Sequence, residues 1–207
     1  MTDLSLITSV ALIHLLAVIS PGPDFFMALK NSLTYSRKTG IYTAVGFGLG
    51  IAVHIFYSLA GLALLISKSV LIFSIIKYLG VAYLLYIGVL SFISNPKEIS
   101  LENKTHLQDI SPLKAIRIGF LTNVLNPKAT LFFLSLFTLV ISPDTANSTL
   151  VIISSILIVD TTLWFSLVAI FFTQKRIRII YNRYQKAFSK IFGGVLIAIG
   201  LKIAFSK

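Results

Sequence analysis

Long apolar runs separated by short polar connections set the pattern of this chain. Six runs can be read: Leu4–Ser20, continuing brokenly towards Leu33, then Ile41–Ile66, Val70–Ile93, Ile116–Ile141, Thr149–Thr173 and Phe188–Phe205. Each reaches or approaches the roughly 20 residues that a helix rising about 1.5 Å per residue needs to cross about 30 Å of hydrocarbon. The runs are continuously apolar and do not alternate in units of about ten residues, which favours helices over barrel strands. The pattern predicts an all-α integral membrane protein with six transmembrane helices. The first run reads as a retained helix, because Thr2 and Asp3 stand where a signal peptide carries bases and no small-x-small cleavage site precedes the prolines.

Two polar, proline-containing sequences interrupt this pattern: Ser20-Pro21-Gly22-Pro23-Asp24 in the first run and Asn126-Pro127-Lys128 in the fourth. Hydrocarbon offers no water to backbone groups, so a break at membrane depth is tolerated only where it faces protein or a wet cavity. Helices 1 and 4 are therefore expected to be broken, and paired breaks in the two halves point to a transporter binding site.

Composition agrees: 56% of the 207 residues are hydrophobic and 12% charged, with a mean hydropathy of +0.91, against about 25% charged in a soluble domain. There is no cysteine, which excludes disulfides, thiol catalysis and cysteine-held metals. The net charge of +11 does not indicate nucleic acid, because the bases sit in the connections. Thirteen of them fall in connections 1–2 (Lys30, Arg37, Lys38), 3–4 (Lys97, Lys104, Lys114, Arg117) and 5–6 (Lys175, Arg176, Arg178, Arg183, Lys186, Lys190). The positive-inside rule makes these cytoplasmic and puts both termini outside. The basic run Lys175–Lys190 reads as an orientation signal and lipid-headgroup contact.

The polar stretch 94–114 reads as a cytoplasmic linker between two repeats, 1–93 and 115–207, within a single transmembrane domain. Pro21 and Pro127, and His54 and Asp160, match at a constant offset, while Lys77, Gly80 and Phe92 match Lys190, Gly193 and Phe205 at another. Three helices per half would turn the second copy upside down, giving two inverted-topology three-helix repeats.

Ionisable groups inside the runs carry the candidate chemistry. Pro21 and Pro23 remove backbone donors, Gly22 accepts unusual backbone conformations, and Asp24 can cap the restarting helix. Asn126 is a natural N-cap and Pro127 a first helical residue, with Lys128 adding a cation to an end that already attracts anions. Gly46 and Gly50 form a small-residue packing motif in helix 2. His54 follows on the same face, then Tyr57; His54 could carry a proton or be a satisfied interhelical histidine. Asp160 lies near the middle of helix 5 with Trp164 one turn on, either binding an ammonium or proton or pairing with Thr161, His54 or Lys128. His14, alone on an apolar helix, reads as packing. No phosphate-binding loop, paired metal ligands or catalytic constellation appears, so no cofactor, metal or enzyme activity is expected.

As an ordered set, Ser20-Pro21-Gly22-Pro23-Asp24, Lys38-x-Gly40, Gly46-xxx-Gly50-xxx-His54, Gly80-Val81-Ala82-Tyr83-Leu84-xxx-Gly88, Asn126-Pro127-Lys128-Ala129, Phe132-Phe133, Asp160…Trp164 and Gly193-Gly194 resemble the lysine exporter / homoserine-threonine exporter (LysE/RhtB) family over nearly the whole chain. The fourth run departs from it, with Phe137-Thr138-Leu139 where members usually carry proline-glutamine-phenylalanine. The resemblance implies a bacterial inner-membrane exporter of a small-molecule amino-acid substrate, driven by protons, with the two proline motifs lining the path. A passive channel and a non-transporting membrane assembly subunit are the rival readings. Gly193-Gly194-x-x-x-Ala198 could join helices within one chain or across a homodimer.

Overall fold

A computed structural model describes residues 3–68, 70–93, 99, 108–142 and 144–205. Among these there are eight helices and no strand: α1 Asp3–Ile19, α2 Pro23–Thr34, α3 Arg37–Lys68, α4 Val70–Ile93, α5 Pro112–Val124, α6 Pro127–Val140, α7 Asn147–Phe171 and α8 Lys175–Ala204. Six apolar runs become eight helices because the first and fourth are each split at their prolines, as expected. Each half thus has the order broken helix, long helix, long helix. Among the described residues, Arg37–Gly61 and Asn147–Phe171 are long and apolar enough to cross a membrane, and α1 with α2, bent by 57° at the break, passes the same test as a pair, with the geometry of a broken span or a re-entrant loop.

Three boundaries differ from the hydropathy reading. Lys30 lies on α2, and Arg37 and Lys38 open α3, so the first basic connection is mostly helical. Pro112, at the first position of α5 behind a Ser111 cap, moves the end of the 94–114 segment into a helix. The last helix begins at Lys175, thirteen residues before the expected Phe188. The basic run is itself helical and amphipathic: Arg178, Tyr181, Gln185 and Ser189 are buried at three- and four-residue spacing. It is therefore a packed face with a charged back, more than a headgroup contact. Lys97, Glu98, Glu102 and Lys104, read as part of the cytoplasmic linker, lie outside the described residues, as does Lys207.

Glycines let the helices cross closely. A Cβ on Gly46 would strike the Ile116 carbonyl and Phe120 nitrogen of α5, and one on Gly119 would strike the Thr43 carbonyl. α3 and α5 therefore touch backbone to backbone, as a small-residue motif permits. Gly88 of α4 and Gly193 of α8 make a second crossing of this kind, each lying against the other's carbonyl. Gly46→Ala should destabilise the fold by about 1–3 kcal/mol, because backbone cannot yield as a side chain can. A lowered melting temperature in detergent checks this; an unchanged one would show that the crossing has slack.

The apolar interior divides into two clusters. One gathers Leu6, Val10, Ile51, Phe132, Phe133 and Leu157; the other gathers Phe25, Phe47, Ile99, Phe165, Phe172 and Tyr181. Residues from both clusters line one cavity.

Candidate functional site

Both breaks are helix restarts, made by the same device. α1 ends at Ile19, and Pro23 opens α2; α5 ends at Val124, and Pro127 opens α6. Proline fits a first helical position because the N–H it lacks would have no partner there. Pro23 and Pro127 thus hold the same position in their helices. Asn126 is the N-cap of α6, with φ −78° and ψ 108°, its side chain accepting from the Lys128 N–H at 3.0 Å. That agrees with the sequence reading.

Two expectations for the first break are corrected. Gly22 is the N-cap of α2 and makes no side-chain cap bond; Asp24 does not cap. Gly22 has φ −162° and ψ −172°, extended backbone open to any residue, so no special conformation requires it. It lies instead against Lys128, whose Cδ would sit 3.4 Å from an added Cβ.

The two restarts border a small, half-open cavity of about 40 Å³. Ser20, Gly22, Asp24, Asn126 and Lys128 all line it. Asp24, 8% exposed, accepts a hydrogen bond from Asn123 Nδ2 at 2.8 Å through Oδ2. Its other oxygen makes no hydrogen bond of ordinary geometry among the described residues. Lys128 turns inward, and its ammonium donates to the carbonyls of Ser20 at 2.9 Å and Ala17 at 3.2 Å. These carbonyls belong to the frayed end of α1, which has no intrahelical donors left for them, and a cation is favoured there. Lys128 thus stitches the second break to the first and does not snorkel.

The remaining predicted residues stand behind this lining. Pro21 and Pro23 form the first break and Pro127 the second. Gly46 serves the α3–α5 crossing, and Gly50 makes room for Asn123, whose Cβ would lie 2.8 Å from an added Cβ. His54 is fully buried: Nε2 lies 3.0 Å from the Asn123 carbonyl and Nδ1 2.6 Å from the Tyr57 hydroxyl. A carbonyl only accepts, so Nε2 carries the proton and Tyr57 donates to Nδ1. The Thr130 carbonyl is a weaker alternative acceptor for Tyr57 at 3.4 Å. His54 is thus a satisfied interhelical histidine that holds the broken end of α5. Trp164 packs against the Phe25 cluster, and its indole N–H has no hydrogen-bond partner among the described residues.

Asp160 has a partner the sequence did not suggest. Its Oδ2 lies 3.5 Å from Nδ1 of His14, the residue read as packing. His14 is fully buried and lines the cavity. Asn123, also unremarked in the sequence, is the group that fixes Asp24. Only its place three residues before Asn126, at a helix end, offered a signal.

The site therefore offers a carboxylate with one oxygen hydrogen-bonded, an ammonium and two helix N-termini around one half-open cavity. No cluster of three or more metal-ligating acidic or histidine side chains exists among the described residues. The arrangement presents a carboxylate and an ammonium to the same small volume.

Comparison with known proteins agrees in kind. A model of the LysE type translocator family matches residues 15–207, a stretch containing both breaks and every lining residue of the cavity except His14. The chain belongs to the LysE type translocator family. The translocator is 33% identical over 196 residues to an uncharacterized membrane protein, YrhP, of Bacillus subtilis (strain 168), covering 91% of this chain and 93% of that one. It is 29% identical over 205 residues to a threonine efflux protein of Escherichia coli (strain K12), covering 99% and 100% of the two chains. A leucine efflux protein of Enterobacter sp. (strain 638) is 34% identical over 147 residues, covering 70% of the translocator and 66% of itself. No solved structure matches the translocator.

Proposed function

We propose that this translocator exports an amino acid across the bacterial inner membrane, driven by the proton motive force. The observation that carries the reading is the meeting of Asp24, Asn126 and Lys128 in one cavity between two helix restarts. A zwitterion needs opposite charges a few ångströms apart. The Asp24 carboxylate takes the substrate ammonium or a proton, in competition. Lys128 and the N-termini of α2 and α6 take the substrate carboxylate. Membership of a translocator family, with relatives named threonine and leucine efflux proteins, supports the direction of transport and the substrate class.

In this reading the chain is one transmembrane domain of six spans, made of two inverted three-helix repeats, 1–93 and 115–207, joined by the cytoplasmic linker 94–114, with both termini outside. The repeated order of broken helix and two long helices supports the duplication, and the distribution of Lys and Arg supports the orientation. Homodimers are compatible with it.

Radiolabelled amino-acid counterflow in proteoliposomes, run as a panel with and without an imposed pH gradient, tests the reading. Saturable exchange of at least one amino acid, accelerated by the gradient, is expected. Non-saturable downhill leak would identify a passive channel, and no flux of any amino acid would remove the exporter.

A further inference from the structure

The cavity stops where α2 begins. From α2 it is lined by Asp24 and Phe25, and from α5 by Asn123. Two turns further along α2, Ala28, Asn31 and Ser32 are buried and take no part in the lining. Two ways lead on from this floor towards the α3 end of α2, the end that carries Arg37 and Lys38 and is cytoplasmic in the reading above. One follows Phe25, which stacks on Tyr181 at 5.2 Å and meets Phe172 edge-on at 5.3 Å. It is aromatic and aliphatic, with Val168 in the same cluster. The other follows Asp24: Ala28 and then Asn31 succeed it at four and three residues, and so share its face of α2.

This second way is a polar seam between α2 and α3. Asn31 stands about 10 Å beyond Asp24 along the helix, and its Nδ2 donates to Thr43 Oγ1 at 2.9 Å. The Thr43 hydroxyl donates to the Thr39 carbonyl at 2.9 Å. The Thr39 hydroxyl donates to Asp109 Oδ1 at 3.1 Å, and that of Ser36 to Asp109 Oδ2 at 2.8 Å. Asn31, Thr39 and Thr43 are buried, whereas Asp109 is exposed, so the series runs from the interior out to solvent. The seam also differs in kind from the neighbouring crossing. α3 meets α5 backbone to backbone, but it meets α2 through side chains, Asn31 on Thr43 and Ser32 on Gly40. Groups of this sort can part and exchange each other for water.

We infer that the transported amino acid reaches Asp24 from the cytoplasm along this seam, which opens when α2 tilts at the break and admits water to Ala28, Asn31, Thr39 and Thr43. This rests on the exporter reading above and adds the route to its site. A zwitterion carries two charges. Stripping them of water against Phe25, Phe172 and Tyr181 costs far more than passing an amide and hydroxyls that hydrogen-bond in water's place. When the seam closes, those groups pair with one another and with the backbone, so the closed state is stable without the substrate. A seam of leucines would close as well, but opening it would offer a charged molecule nothing. Asn31, Thr39 and Thr43 are therefore route residues: they serve passage to Asp24 and take no part in holding the substrate there.

The chain has no cysteine, so a single introduced thiol reports on one position. Thr43→Cys and Asn31→Cys place it in the seam, and Val168→Cys, at a residue 1% exposed, places it on the apolar way. The probe is a charged, membrane-impermeant methanethiosulfonate, applied to inside-out and right-side-out vesicles holding the full chain. The seam thiols should react about tenfold faster than Val168→Cys, since reaction follows exposure to water, and from the cytoplasmic side alone. Labelling a seam thiol should then stop most amino-acid counterflow, measured against the same variant unlabelled. The two seam positions are read separately, so if one variant fails to insert the other decides. Asn31→Leu, similar in size but without hydrogen bonds, should lower the maximal exchange rate about tenfold and leave apparent affinity within about twofold. Equal reactivity of the seam and Val168 thiols, reaction from the outer side alone, labelling that leaves counterflow unchanged, or an Asn31→Leu exchanger as fast as wild type overturns this inference and leaves the exporter standing. Absence of counterflow for every amino acid in wild type removes the exporter and the route with it.

Discussion

Asp24→Asn is expected to abolish proton-driven efflux while the protein still inserts in the membrane. Asparagine is nearly isosteric, and its side-chain oxygen can still accept from Asn123 Nδ2, the 2.8 Å bond that holds Asp24 now. The local structure therefore survives and only the charge is lost. Removing one member of a buried charged pair costs about 2–5 kcal/mol, so substrate affinity should fall by about thirtyfold or more. The proton response should vanish entirely, because an amide does not titrate. Vesicles preloaded with labelled amino acid and subjected to a pH jump provide the measurement. Normal pH-driven efflux by the variant would remove Asp24 from the coupling mechanism.

Lys128→Met should be nearly as damaging, for two separable reasons. Methionine keeps most of the stem beside Gly22 but loses the ammonium that bridges the Ala17 and Ser20 carbonyls. Each carbonyl left buried and unpaired costs about 1–3 kcal/mol, so the purified variant should melt at a lower temperature. The site also loses its cation for the substrate carboxylate. An amino alcohol, which has the ammonium but no carboxylate, separates the two effects as a competitor of amino-acid exchange. In wild type the amino acid should compete far better than the amino alcohol; in Lys128→Met the two should compete about equally. A variant that still prefers the amino acid as strongly as wild type would restrict Lys128 to stitching the two breaks together.

What the sequence revealed and what it hid follow from the range of the interactions. The breaks are local chemistry: a proline removes a donor wherever it stands, so the restarts at Pro23 and Pro127, and the Asn126 cap, were readable from a few residues. The partners of the buried charges are not local. Asp24 meets Asn123 across 99 positions, and His14 meets Thr161 across 147. Nothing beside His14 in the chain announces a polar neighbour, which is why it reads there as filler. The start of the last helix was hidden differently. Lys175, Arg176, Arg178 and Arg183 depress hydropathy over that stretch, although the buried Arg178, Tyr181, Gln185 and Ser189 keep helical spacing. A filter for apolar length discards an amphipathic helix that periodicity would have retained. Gly22 shows the opposite error: a small residue invites an argument from backbone freedom, whereas an extended backbone and a lysine stem lying against it account for its position.

The glycine-mediated contacts of α3 with α5 and of α4 with α8 also limit how such a machine can work. Where main chain rests on main chain there is no layer of adjustable side chains to shear, so these pairs behave as stiff beams. Compliance is left to the unwound joints at 20–22 and 125–126, about which α2 and α6 can tilt like two levers sharing one pin, the Lys128 ammonium on the last carbonyls of α1. Releasing that pin would free both levers together.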